Sequence, residues 1–408
     1  EWSLNNASKK PDLTINRVSS EFYFRNLSFL NNDQSIDLNI SNFKNQSKYD
    51  VLFKDVELNS FTNKKSSILF DGKINGNLFL SQIDQKFKGE SNLVISGLKS
   101  NNELIGDASL NLRASDDLKK INIEFYIIND LEKKLNLFGD LSIEDEYYPL
   151  DLTLITNGFR INPFSNLIKN SISDFEGEFN SEIKITGSSS DPVFYGNIAT
   201  SNVAFKVPYL NVRYEIEDNS TFFLNDQSFY IDDFKLTNRL TNTFGNISGR
   251  ISHNLFKNWF LELDINSENL MILNTELNNN SLYYGTGMFN GNAIIYGPEE
   301  NLLINLKGST NKNTSLVIPI KGSNNVGDFK FLNYITPNSE KNDSEKINKS
   351  LIVDLDINFN SNANLEVILD SESQSRINGF GNGRLNFKIN TLGNFNMFGN
   401  FEVEKGSY

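Results

Sequence analysis

The chain has no cysteine, one histidine, two tryptophans and three methionines in 408 residues. Lack of cysteine excludes disulfides, thiolate chemistry and Cys-based zinc sites. With His253 as the sole histidine, any Ser-His-Asp triad or imidazole-held metal has to use it. It sits in ISHNLFKNWF (251–260), where Ser252 and Asn254 read as strand-edge or turn residues, so a turn or surface role is expected. Positive charge is in deficit: 38 Lys+Arg face 51 Asp+Glu, for a net charge of −13. That argues against nucleic acid as a partner, because such binding rests on Lys and Arg neutralising phosphates. No run approaches the ~18 apolar residues of a spanning helix, and no signal-peptide pattern opens the chain. It begins at Glu1, so we expect a processed piece of something longer, with any membrane anchor outside it.

What is present is phenylalanine, 33 of them, and strict alternation. In Leu351–Asp370 (LIVDLDINFNSNANLEVILD) the ten odd positions carry nine apolar residues and one serine, and eight of the ten even positions are polar. A period of two means extended chain with one apolar and one wet face. Two strands are expected here, broken near Asn360–Asn362 with parity kept through the break. Upstream, short alternating runs recur about every 12 residues, or roughly 30 strands. Asn75-Gly76, Asn101-Asn102, Asp116-Asp117 and Asn129-Asp130 read as hairpin turns between them.

One stretch departs from this pattern. Pro163–Phe175 places Phe164, Leu167, Ile168 and Ile172 at helical spacing, and a short amphipathic helix is expected there. A second short helix is expected near Phe329–Tyr334, and Thr336–Ser350 reads as a mobile loop. From 177 on, a loose cadence of strand, Gly, strand, Pro suggests a sheet grown by adding hairpins. Polar linkers between sandwich domains are wanting, so one continuous antiparallel-rich sheet is favoured over several sandwiches; a sheet of that many strands has to curl or fold lengthwise.

Candidate chemistry is sparse. Asp354 and Asp356 lie two apart, as calcium ligands could, but Asp alternating with Leu and Ile is the ordinary solvated side of a strand. Glu299-Glu300 and Asp116-Asp117 read as turn charges. Gly379–Gly383 has the look of a phosphate loop, yet it precedes a strand and lacks the helix N-terminus that such a loop needs. No enzyme, metal or cofactor is expected.

Residues 251–265, 270–275, 278–310 (NNNSLYYGTGMFNGNAIIYGPEENLLINLKGST), 315–320 and 379–408 (GFGNGRLNFKINTLGNFNMFGNFEVEKGSY) resemble the C-terminal region of the TamB-like translocation and assembly module proteins, in the forms found in Bacteroidetes. Upstream, the short helix and the Gly-Asp-Pro-Gly cadence at 187–196 are similar to the wider AsmA-like group. The resemblance implies an elongated β-taco, a long sheet folded into a trough with a hydrophobic interior. It divides the chain into a trough segment, 1–250, and a C-terminal segment, 251–408. It also implies an inner-membrane anchor N-terminal to this stretch, a periplasmic location, an outer-membrane barrel of the BamA/TamA type as partner, and a part in phospholipid traffic and barrel-protein assembly.

A trough fits the alternation. An acyl chain leaving a membrane exposes roughly 0.8 kcal/mol per CH₂, on the order of 13 kcal/mol for ~16 methylenes. A continuous apolar lane removes most of that barrier without chemistry. Its expected lining is Leu351, Val353, Leu355, Ile357, Phe359, Leu365 and Val367, then Leu385, Phe387, Ile389, Phe395, Met397, Phe401 and Val403. The upstream equivalents are Trp259, Leu261, Leu263, Ile265, Leu302, Ile304 and Leu306. The alternatives are a closed core made by the same residues, and a scaffold that uses open sheet edges for barrel assembly.

Overall fold

A computed structural model describes residues 2–4, 12–16, 21–43, 46–61, 69–84, 86–145, 147, 149–167, 172–277, 283–319, 350–370, 375–390 and 394–407. The described chain is 81% strand and contains no α-helix. In chain order the strands are β1 (Ser3–Leu4), β2 (Asp12–Asn16), β3 (Glu21–Asn31), β4 (Gln34–Phe43), β5 (Gln46–Glu57), β6 (Phe70–Ile83), β7 (Lys86–Ser100), β8 (Glu103–Ala114), β9 (Lys120–Asn129), β10 (Glu132–Ser142), β11 (Leu150–Arg160), β12 (Ser173–Gly187) and β13 (Pro192–Val207). There follow β14 (Val212–Ile216), β15 (Thr221–Asn225), β16 (Ser228–Asn238), β17 (Thr243–Asn254), β18 (Lys257–Thr275), β19 (Tyr284–Pro298), β20 (Asn301–Thr310), β21 (Ser315–Pro319), β22 (Ser350–Phe359), β23 (Asn364–Asp370), β24 (Ser375–Asn390) and β25 (Asn394–Ser407). Ladders join them into one 25-stranded sheet. By contact the chain forms two units: an N-terminal one of Glu1–Ala204 with Asp218–Phe229, and a C-terminal one of Phe205–Glu217 with Tyr230–Tyr408.

In the N-terminal unit the strands pair antiparallel in chain order from β2 to β12. They are longer and fewer than the sequence suggests, and Asn75-Gly76 shows why. That pair is no turn; it lies inside β6. The Asn75 Oδ1 accepts the backbone N–H of Asp55 at 2.9 Å, where β5 bulges and Asp55 takes φ 50°. Gly76, at φ 125°, lets the Asn92 carbonyl of β7 come so close that a Cβ would collide with it. The arrangement recurs. At Asn26, Gly97, Gly158 and Asn202 a left-handed residue donates its N–H to the side-chain oxygen of Asn39, Asp107, Asn180 or Asp218 at 2.7–3.2 Å. Each bulge adds a residue to one strand, bends it and increases its twist. Asn101-Asn102 and Asp116-Asp117 lie in turns, as expected, and Asp130 opens the turn between β9 and β10.

The expected helix at Pro163–Phe175 is replaced by a 3-10 turn, Asn162–Leu167, and from Ser173 the chain is already in β12. Residues 168–171 lie outside the described residues. Asp174 and Phe175 lie in β12, Asp174 exposed and Phe175 half-buried, and the turn stands where Phe164 packs on Phe159 and the cluster of Leu98, Ile105, Ala108 and Ile127. The buried Ser100 hydroxyl ties it down by donating to the Pro163 carbonyl at 2.7 Å. The helix expected near Phe329–Tyr334, and the loop of Thr336–Ser350 apart from Ser350 itself, lie outside the described residues.

The C-terminal unit contains the sequence's clearest stretch, and its break falls where the alternation puts it. β22 and β23 line up along one edge of β24 while β25 takes the other. β20 and β21 do the same along β19, whose other edge holds β18. The two interrupted strands pair with each other in parallel. The circuit β19–β20–β22–β24–β23–β21 therefore closes as a ring of six because two of its strands are broken in tandem. The breaks, Asn311–Thr314 and Asn360–Ala363, sit side by side. Buried hydroxyls replace the missing ladder bonds: Thr310 Oγ1 accepts from Asn360 N at 3.2 Å, and Thr314 Oγ1 accepts from Met288 N at 3.1 Å. Each break adds an even number of residues to its strand, which keeps side-chain parity.

Candidate functional site: one apolar face

In the C-terminal unit the registers stack the expected lane residues into rows across the strands. One row is Leu263, Ile295, Ile304, Val353, Ile389 and Phe395. The next is Ile265, Ala293, Leu306, Leu355, Phe387 and Met397. Beyond them Gly291, Gly308 and Gly399 interrupt the row of Ile357 and Leu385. The Phe289 ring covers the first two glycines; a Cβ on Gly308 would stand 2.6 Å from it.

These rows pack on one another. Leu306, Val353, Ile357, Phe359, Leu365, Leu385, Phe387 and Ile389 are buried in one cluster, against which Ile265, Ile304, Leu351, Leu355, Val367, Phe395, Met397 and Phe401 are half-buried. Trp259, Leu261, Leu263, Leu302 and Val403 lie outside it. Trp259 turns to the hairpin between β17 and β18, edge-on to His253 at 4.9 Å. Val403, on the outermost ladder of β24–β25, is 43% exposed. Sequence reasoning missed Phe289, Ile318 and Ala363, all fully or nearly buried members of the same cluster. Parity within β19 and β21 would have found the first two. In this unit the apolar face is filled by its own side chains.

The N-terminal unit carries the same pattern in more open form, on residues the sequence reading did not single out. A rail crosses ten strands: Leu27, Leu38, Val51, Leu78, Ser91, Leu112, Ile123, Gly139, Leu152 and Ile185 are successive cross-strand partners from β3 to β12. At ~4.8 Å per strand it extends roughly 43 Å along the sheet. Beside it runs Leu93, Leu110, Phe125, Leu137, Leu154 and Ile183. Apart from Ser91, Leu152 and Ile183, all these residues are half-buried rather than buried. No charged residue interrupts either line.

The opposite face carries the charged side chains, with Ile294, Tyr296 and Ile352 exposed among them. Asp356 and Arg384 form a two-pronged ion pair at 2.5 and 2.7 Å, and the guanidinium holds the Asp356 carboxyl below its ordinary range. Asn386 donates to Asp354, and Asn292 to Asp264, at 2.8 and 2.6 Å. Asp354 and Asp356 are thus taken up by cross-strand partners. His253 is buried rather than at the surface; its Nδ1 accepts from Phe256 N at 3.2 Å and its ring stacks on Phe256. Among the described residues no three His, Asp or Glu side chains gather as metal ligands, and no helix is long and apolar enough to cross a membrane.

These features define a class: an all-β protein built as one large sheet, with an apolar and a charge-bearing face and a single histidine packed in a hairpin. Residues 232–408 match the family model of the TamB C-terminal domain, a finding consistent with the C-terminal part of a TamB-like protein. No match was found among curated proteins or among solved structures. The matched residues take in β17–β25 and both interrupted strands.

Proposed function

We propose that this protein conducts phospholipids across the periplasm of a Gram-negative bacterium, between the inner and outer membranes, by holding their acyl chains against the apolar face of the sheet. The observation that supports the reading most is the ten-strand rail, which offers a hydrocarbon chain continuous contact without a charge to cross. The match of residues 232–408 to the TamB C-terminal domain points to the same family of envelope-biogenesis proteins. Each methylene kept from water saves roughly 0.8 kcal/mol, so movement along the rail needs neither a reaction nor a cofactor. In the full-length protein an N-terminal anchor would tether the sheet to the inner membrane, and a barrel of the BamA/TamA type would receive its far end.

The test is transfer of a fluorescent phospholipid between donor and acceptor vesicles. The purified chain should accelerate it, and Leu110→Asp with Leu154→Asp should return it towards the spontaneous rate. No acceleration by the unaltered chain would sink the proposal. The family match also supports a second reading, a scaffold for barrel-protein assembly. That reading expects crosslinks to nascent barrel proteins and tolerance of charge on the rail.

A further inference from the structure

On the apolar face of the N-terminal unit the hydroxyls of Thr156 and Ser181 are satisfied within the fold. Thr156 Oγ1 donates to the Phe179 carbonyl at 3.1 Å and lies 2.8 Å from Ser181 Oγ. Ser91 differs. It is 6% exposed, sits between Leu78 and Leu112 on the rail, and its Oγ has no hydrogen-bond partner. A hydroxyl buried in that state is costly, and an alanine would fit the same place without the cost.

The surroundings restrict what could satisfy it. The backbone groups of β6, β7 and β8 are engaged in their ladders. Leu78, Leu93, Leu110 and Leu112 around it offer neither charge nor hydrogen bonds. A peptide lying here would find no partners for its own N–H groups. A hydrocarbon chain needs none, and a chain that carries one carbonyl oxygen needs one donor. The corresponding face of the C-terminal unit is occupied by Phe289, Phe359 and Phe387.

Building on the lipid-conducting reading, we propose that the N-terminal rail contains a binding site for acyl-ester lipids in which Ser91 Oγ donates a hydrogen bond to an ester carbonyl. The chains lie along the rail, and Ser91 fixes the point at which the ester stops. The site thereby distinguishes an ester-linked lipid from an ether-linked one with the same chains and headgroup.

The experiment compares diacyl phosphatidylethanolamine with its dialkyl-ether analogue, competing for the full chain and for Ser91→Ala, read by native mass spectrometry. The unaltered chain should favour the ester about five- to tenfold, the effect of one buried hydrogen bond. Ser91→Ala should bind both alike, and without lipid it should melt no lower than the unaltered protein. A retained ester preference in Ser91→Ala, or a lowered lipid-free melting temperature, overturns the assignment. Equal binding of both lipids by the unaltered chain also removes Ser91 but leaves lipid conduction standing. Binding of neither lipid refutes the lipid reading itself.

Discussion

A carboxylate placed on the apolar face should have opposite consequences in the two units. Phe387 is 2% exposed and its ring meets those of Phe359 and Phe395 at 6.4 and 6.2 Å. Removing a buried phenylalanine costs about 3–5 kcal/mol. An aspartate in its place adds roughly 1–3 kcal/mol for a polar group without partners. The total, about 4–8 kcal/mol, is comparable with the whole stability of a typical domain, ~5–15 kcal/mol. Leu110 is half-buried. Full burial of a leucine is worth roughly 1.5–3 kcal/mol, so losing part of it costs about 1–2 kcal/mol, and a carboxylate there still reaches water. Peptide-resolved hydrogen exchange should show β22–β24 unprotected in Phe387→Asp. Leu110→Asp should keep β8 and β9 protected while releasing bound lipid. If Leu110→Asp unfolds its own unit as thoroughly as Phe387→Asp unfolds the other, the rail is a closed core and the reasoning fails.

Further predictions follow from single contacts. Asp107→Ala removes the acceptor of the Gly97 N–H and should cost about 1 kcal/mol in urea unfolding, with faster exchange at that amide. Gly308→Ala drives a methyl into the Phe289 ring and the Asn290 carbonyl, and should lower stability by about 1–3 kcal/mol, whereas Gly97→Ala meets nothing within 4 Å and pays only for its left-handed φ of 62°. Because Arg384 depresses the Asp356 pKa from 3.8, the pair's contribution is present above the unfolded value and is lost as pH falls through the lower folded one. The stability gap between the unaltered chain and Arg384→Ala should therefore hold at neutral pH and close below about pH 4, as followed by thermal melts.

How much of this was legible beforehand differs between the units. β22 and β23 could be drawn from the sequence down to the break, because nine of ten inward positions are apolar and the break preserves parity. The partners of β22 could not, since alternation says nothing about which strand lies alongside; the parallel pairing with β20 is a property of the tertiary fold. Asn75-Gly76 misled because Asn and Gly serve a bulge as well as a turn, and only the Asp55 N–H across the ladder tells them apart. The helix at Pro163 failed because its apolar spacing also suits a 3-10 turn running into a strand. The N-terminal rail was hidden by its interruptions: Ser91 and Gly139 spoil the local pattern of β7 and β10, yet each is flanked by leucine or isoleucine on both neighbouring strands. Continuity across strands, which no single segment displays, is what makes the rail.

The central claim is that lipid lies on one face of the sheet. Val94 and Ile155, on the opposite face of β7 and β11, are 40% and 39% exposed, more open than their inward neighbours Leu93 and Leu154. They therefore control for mere stickiness of exposed apolar groups. Photo-crosslinkers placed singly at Leu93, Leu110 and Leu154, and at Val94 and Ile155, should capture phospholipid in cells from the first three positions and not from the last two. Equal capture from both sets would contradict the account.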